Sequence, residues 1–354
     1  MRGMRALHLV VVGVLLCACG DGDAGSSGSS SSSGSTGSSD SSSSPSSSET
    51  STGAPTTTAT TDDTGASTTG APVDPTACWT DLAVGEQAFF YQGFADGSEG
   101  VTFGADGQLY VTADDIVWRL DAAGAASVFA EMPAPVGLAA LADGGFVVAA
   151  FGESQQPDGA VYRIDAAGVA SEIAVGIDDP NFVTIAPDGS ALVSDDFDTR
   201  VFRVTLDGQV SVALEVESPN GMAYSPDGQA FYVASTFTAD GQLTRFSVDA
   251  QGLPVAASGL EILHLGTGST PDGIAVSEDN HVYVAANLGG AIWRVDGAAT
   301  ELQAGERVAS LAFPASLAFG RGPGFDPCSL YITQLAADGV VRVAVGVRGA
   351  PQYD

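Results

Sequence analysis

Four residues carry the strongest chemical signal in this chain of 354 residues: Glu99, Asn181, Asn220 and Asp272. Each stands at the opening of a short apolar stretch, as Glu99-Gly100, Pro180-Asn181, Pro219-Asn220-Gly221 and Pro271-Asp272-Gly273. Two carboxylates and two amide carbonyls on one point would make a hard, oxygen-only donor set, suited to Ca²⁺ or another hard divalent cation. No His or Cys belongs to it, so zinc and copper are poorer matches. The same residue types after proline are also good turn formers, because Pro fixes φ and Asn or Asp bonds its own backbone. Taken singly, each reads equally well as a turn residue; the combination at equivalent positions is what points to a cation.

The positions are equivalent because one phrase recurs six times after residue 98, with starts at 99, 135, 180, 219, 271 and 314. The clearest copies are SPNGMAYSPDGQAFYVAS from Ser218 and TPDGIAVSEDNHVYVAAN from Thr270, and the weakest are the second and sixth. The period averages about 40 to 45 residues and contains strands alone, which is the mark of a β-propeller blade. The fold class expected is therefore all-β, a six-bladed β-propeller. First strands of propeller blades run along the central axis, so their starts ring one mouth of the channel. In order the starts supply Glu99, the donor-free pair Val136-Gly137, Asn181, Asn220, Asp272 and Ser316. Asp106-Gly107, Asp188-Gly189 and Asp227-Gly228 supply the positive φ that tight hairpins need at the other end of those strands.

Three segments are expected. Residues 1–18 read as a signal peptide, with Arg2 and Arg5 ahead of an apolar run too short to span a bilayer. The run ends Leu16-Cys17-Ala18-Cys19-Gly20, which resembles a bacterial lipobox and implies lipidation of Cys19. Residues 19–77 are Ser-, Gly- and Thr-rich with almost nothing to bury, so they read as a disordered, low-complexity tether. Residues 78–354 are the propeller. The expected localisation is an exported protein held on the bacterial cell envelope, with the outer membrane or cell surface favoured and the membrane reached through lipid on Cys19. The chain has 43 acidic residues against 12 basic ones, a formal net charge of −31. Such a field repels phosphate backbones and excludes nucleic acid as a partner. A monomer is expected, with a small-molecule substrate or ligand at the channel mouth.

Cys78 and Cys328 remain for the exported part, and an oxidising compartment reads them as a disulfide rather than two free thiols. The sixth repeat lacks an outer strand, so the segment near Ala88 to Tyr91 is expected to complete it and Cys78–Cys328 to tie the closure.

From Ser98 to Thr333 these motifs resemble the senescence-marker-protein, gluconolactonase and luciferin-regenerating-enzyme-like (regucalcin-like) family of six-bladed propellers with a divalent cation in the channel. The resemblance implies Glu99, Asn220 and Asp272 as metal ligands, with Asn181 near both metal and substrate. Lactonases of that family usually place an Arg two residues ahead of the third-blade Asn and an Asp directly after it. This chain has Asp179 and Phe182 there, which disfavours anionic sugar acids. The activity implied is metal-dependent hydrolysis of a lactone or related ester. Asp272 is one candidate base, and His264, in the stretch leading to Asp272, is the other. The alternative is a non-catalytic ligand- or protein-binding propeller similar to NHL-repeat modules, which share Pro-Asp-Gly-Ile-Ala-Val strand starts. A serine-type triad, a Gly-x-Ser-x-Gly elbow and phosphate-loop or dinucleotide motifs are not found.

Overall fold

A computed structural model describes residues 77–352. The signal-peptide, lipidation (Cys19) and tether expectations lie outside the described residues.

Six four-stranded antiparallel sheets follow one another along the chain. Their first strands are Val101–Phe103, Pro135–Ala140, Pro180–Ile185, Pro219–Tyr224, Pro271–Val276 and Pro314–Phe319. All six contribute to the wall of a single axial cavity of about 100 Å³. The second strands, Leu109–Ala113, Phe146–Ala150, Ala191–Asp195, Ala230–Ser235, His281–Ala286 and Ser329–Gln334, are buried throughout or nearly so. Alanine and valine, with a tyrosine in four of the six, are the commonest residues in them because both faces pack on a neighbouring blade. Six apolar cores result, each shared by two successive blades, and the one joining blades six and one contains Phe103, Tyr331 and Val340. The ring is thus continuous.

Turn chemistry agrees with the sequence. Gly107, Gly189 and Gly228 take φ of 72°, 82° and 67°, while the Asp before each accepts a hydrogen bond from the backbone two residues on, for example Gln229 N to Asp227 Oδ1 at 3.0 Å.

Closure is made by the N-terminal strand Gln87–Gln92, which pairs with Gly339–Ala344 as the outermost strand of blade six. Cys78 is bonded to Cys328 across 250 residues, with Cα atoms 5.1 Å apart. The same segment is held by Trp79 N donating to Asp326 Oδ1 at 3.0 Å, and by Arg342, which pairs with Asp81 and lies 5.0 Å from the Trp79 ring centroid. Asp81 is held below the usual carboxylate range chiefly by that hydrogen bond from Arg342. At the far end of the channel the C-terminal tail bridges to blade five, with Ala350 N donating to Val276 O at 2.9 Å. Ala350 to Gln352 line that end of the cavity.

Candidate functional site

The site begins as a defect in the sheets. In blades two to six the first strand loses register just after its opening proline, between Pro135 and Leu138, Pro180 and Val183, Pro219 and Met222, Pro271 and Ile274, and Pro314 and Leu317. A bulge of this kind frees residues from the ladder and re-aims their side chains. Asn181, Asn220, Asp272 and Ser316 are the residues freed. Their backbone amides still need acceptors, and second-strand hydroxyls provide some of them. Phe182 N donates to Ser194 Oγ at 2.9 Å and Ser316 N to Thr333 Oγ1 at 3.0 Å. In blade one, Gly100 N donates to Thr112 Oγ1 at 2.7 Å.

The starts are also tied to one another around the axis. Thr112 Oγ1 donates to Val136 O at 2.6 Å, Thr236 Oγ1 to Pro271 O at 2.8 Å, Asn287 Nδ2 to Pro314 O at 3.1 Å, and Thr333 Oγ1 to Glu99 O. Close approach explains the glycine after Glu99, Asn220 and Asp272. A Cβ on Gly221 would lie 2.3 Å from the Asp272 carbonyl oxygen, so only glycine lets these two starts touch. Ala134, Ser218, Thr270 and Phe313, each just before an opening proline, have φ of 42° to 47°, a left-handed conformation that costs on the order of 1–3 kcal/mol per residue and clusters at functional sites.

Glu99, Asn181, Asn220, Asp272 and Ser316 are all buried. Asp196, which follows the second strand of blade three, joins them and is also buried. Asn220 Nδ2 approaches Asp196 Oδ1 at 3.4 Å and Asn181 Nδ2 approaches Asp196 Oδ2 at 3.5 Å. With its nitrogen turned to Asp196, Asn220 leaves Oδ1 buried without a hydrogen-bond partner, and Glu99 Oε2 is in the same condition.

Electrostatics compound this. Burial, and then the charge of Asp196, pushes the Glu99 carboxyl well above its ordinary range. Asp196 is pushed up to about 7 by burial, although hydrogen bonds from Thr236 and Asn220 pull the other way. Asp272 moves in the same direction through burial, then Glu99, then Asp196. The site is an acceptor-rich, negatively polarised hole. These unpartnered acceptors fit a hard cation, and Glu99, Asn220 and Asp272 are the residues that could hold one, with Asn181 and Asp196 beside them. Among the described residues no three His, Cys, Asp or Glu side chains are gathered into a ready cage, so such an ion would draw on amide oxygens as well.

The roomier cavity lies at the opposite end of the channel, where Thr102, Thr184, Tyr224, Arg321 and Gln352 line it among apolar side chains and no carboxylate does. The mouth is assigned on donor chemistry instead. There Glu99 lines a smaller recess with Ser98, Thr112, Asp114, Val136 and Phe151.

His264 ends the outermost strand of blade four, Leu260–His264. Its Nε2 is 2.8 Å from Glu261 Oε2. The strand order places it at the mouth end but three strands outboard of Asn220, so the fold does not bring it together with the ring. Asp179 is buried and accepts from Gln155 N through both oxygens, at 2.7 and 3.0 Å. Burial pushes it up to about 6.

Asp196 escaped the sequence reading because it is not at a repeat start. Its signal was the Asp195-Asp196 pair: Pro180 is in register with Asp195, so the end of the second strand returns to the mouth.

A family model described as "SMP-30/Gluconolactonase/LRE-like region" matches residues 97–336. The pentonolactonase XacC of Haloferax volcanii is 33% identical over 147 residues, which are 41% of this chain, and the chain spans 48% of that relative. A gluconolactonase from Xanthomonas campestris superposes with a TM-score of 0.59 at 21% identity, over 73% of this chain and 88% of that one. A calcium-binding protein, regucalcin, from Agrobacterium tumefaciens gives 0.56 at 21% identity, over 77% and 98%. At such identity the structural likeness concerns the fold. The family model spans every strand start from Glu99 to Ser316, and the chain belongs to the SMP-30/gluconolactonase/LRE-like family.

Proposed function

We propose that the protein is a divalent-cation-dependent hydrolase of a lactone or related ester, with Ca²⁺ the best-matched ion. The observation that carries this is the pair of buried, unpartnered acceptors, Glu99 Oε2 and Asn220 Oδ1, in a cluster of mutually repelling carboxyls. Leaving such groups unpaired is costly, and a cation relieves the cost. Polarisation of the carbonyl and stabilisation of the oxyanion are the chemistry a bound divalent ion supplies. The family relation to a pentonolactonase supports lactones as the substrate class.

The chain's own groups account for the rest. Asp196, buried beside Asn181 and Asn220, is the carboxylate placed to take a proton from water, and a cation at the ring would favour its ionised, basic form. The amides of Asn181 and Asn220 hold that carboxyl in place. Asp179 stands where family lactonases carry arginine, so neutral lactones are preferred to anionic sugar acids. Activity on neutral γ- and δ-lactones, followed by proton release, is expected to vanish with chelator and return with Ca²⁺. Asp196→Asn is expected to lower kcat by about 100-fold or more. Hydrolysis unchanged by chelation would overturn the metal-dependent reading.

The proposal extends to location. The Cys78–Cys328 bond supports export to an oxidising compartment, and Cys19 with the chain up to residue 77 would then anchor the domain by lipid. Incorporation of labelled palmitate, abolished in Cys19→Ala, is the expected result. The unpartnered acceptors support the mouth as the seat of a small-molecule partner, and the charge of −31 supports the absence of a nucleic-acid partner.

A further inference from the structure

We infer that the substrate is a lactone or ester bearing an aromatic or other apolar substituent, seated against Phe151, Phe197 and Phe237 beside the polar ring. This deepens the hydrolase reading and rests on it.

Phe197 and Phe237 come from equivalent places, and Phe151 stands one position earlier in its blade. Phe151 directly follows the second strand of blade two, whereas Phe197 and Phe237 lie two residues beyond the second strands of blades three and four. Ala150, Asp195 and Ser235 are in register with Pro135, Pro180 and Pro219, so the rings stand at the same end of the blades as Asn181 and Asn220. Phe197 and Phe237 stack with centroids 4.7 Å apart and planes 23° from parallel, and Phe151 meets Phe197 edge-on at 6.3 Å. An aromatic shelf therefore spans blades two to four.

Its burial is graded. Phe151 belongs to the core between blades two and three and Phe197 packs against that core. Phe237 is partly exposed and joins none of the core clusters. Core packing thus explains Phe151 and much of Phe197, but leaves the partial exposure of Phe237 unexplained.

The shelf is mechanically part of the site. Phe197 is the next residue after Asp196. Phe237 N donates to Ser218 Oγ at 3.1 Å, and Ser218 Oγ donates to Asp196 O at 2.6 Å. Phe151 lines the same recess as Glu99. A carbonyl at the ring would have an apolar wall within reach of its substituent, the usual composition of a small-molecule site. The neighbouring charges do not suit an anion. Asp179, Asp195 and Asp198 are acidic, and Arg200 is taken up by Asp198 and the Phe202 ring.

The test compares δ-valerolactone, a phenyl-substituted δ-valerolactone and glucono-δ-lactone on the whole protein and on Phe237→Ala and Phe237→Leu, with thermal melts to confirm folding. The phenyl lactone is expected to exceed the parent lactone in kcat/KM by about 10-fold or more. Phe237→Ala should lower kcat/KM for the phenyl lactone by about 10-fold more than for the parent lactone, removing most of that preference, and Phe237→Leu should keep part of it. Calorimetric binding of the matching phenyl and unsubstituted lactams, which resist hydrolysis, provides a readout independent of turnover. Lactone hydrolysis without phenyl preference, a preference for glucono-δ-lactone, or equal losses on all substrates in Phe237→Ala overturns the inference while the hydrolase reading stands. If no lactone turns over yet the phenyl lactam binds through Phe237, the ligand class stands and the reaction does not. Equal or absent binding of both lactams in the absence of turnover overturns the inference as well.

Discussion

Burial raises the pKa of Glu99, Asp196 and Asp272, and neighbouring charge adds to it: that of Asp196 at Glu99, those of Glu99 and Asp196 at Asp272, and those of Asp179 and Asp195 at Asp196. Each has a folded pKa above its unfolded value, near 4. Its contribution to stability is therefore fully present below about pH 4 and is lost as pH rises through the folded value, about 7 for Asp196. Melts in chelator should thus show Glu99→Gln more stable than the parent, with the gap widening from about pH 5 to about pH 8. In Ca²⁺ the order should reverse, because the variant has lost a ligand. A gap that does not change with pH would contradict the shared-charge account. Glu99, Asn181, Asn220 and Asp272 were legible in the sequence because each sits at a repeat start, where the period itself aligns them. Asp196 was not, since its place depends on antiparallel register, and the local run Ser194-Asp195-Asp196 does not reveal which carboxyl faces the ring.

Strands and turns were more legible than the device that joins them. The repeat predicted six first strands, the Asp-Gly hairpins and the need for an N-terminal strand to close blade six, all of which follow from local turn chemistry and spacing. The bulges after the opening prolines were hidden, because a Pro-Asn-Gly segment looks the same whether it makes a simple turn or a two-residue break in a ladder. Glycine at these breaks answers to close approach between blades. Gly221→Ala would drive a Cβ into the Asp272 carbonyl at 2.3 Å. The expected cost is about 1–3 kcal/mol in urea denaturation, together with weaker Ca²⁺ binding because Asn220 and Asp272 are pushed apart. Gly189→Ala, at a turn with open space around it, should cost stability through its positive φ while leaving the ion affinity unchanged.

At the scale of the molecule, a ring whose first and last blades are joined by the N-terminal strand is vulnerable at that seam. The disulfide closes a loop of 250 residues, so Cys328→Ser should destabilise the protein by roughly 3–5 kcal/mol. Trp79 and Arg342 lock the same seam, and Arg342→Ala should act in the same direction, both variants being read by a fall in Tm. The ring exists to hold six strand starts in contact around one mouth, and the central claim is that this mouth binds a cation. The most direct test is calorimetric titration of Ca²⁺ into chelator-treated protein, with Asp272→Ala alongside. Saturable binding near one ion per chain, lost in the variant, is the predicted result. Absence of specific binding, or binding that survives Asp272→Ala unchanged, would contradict it.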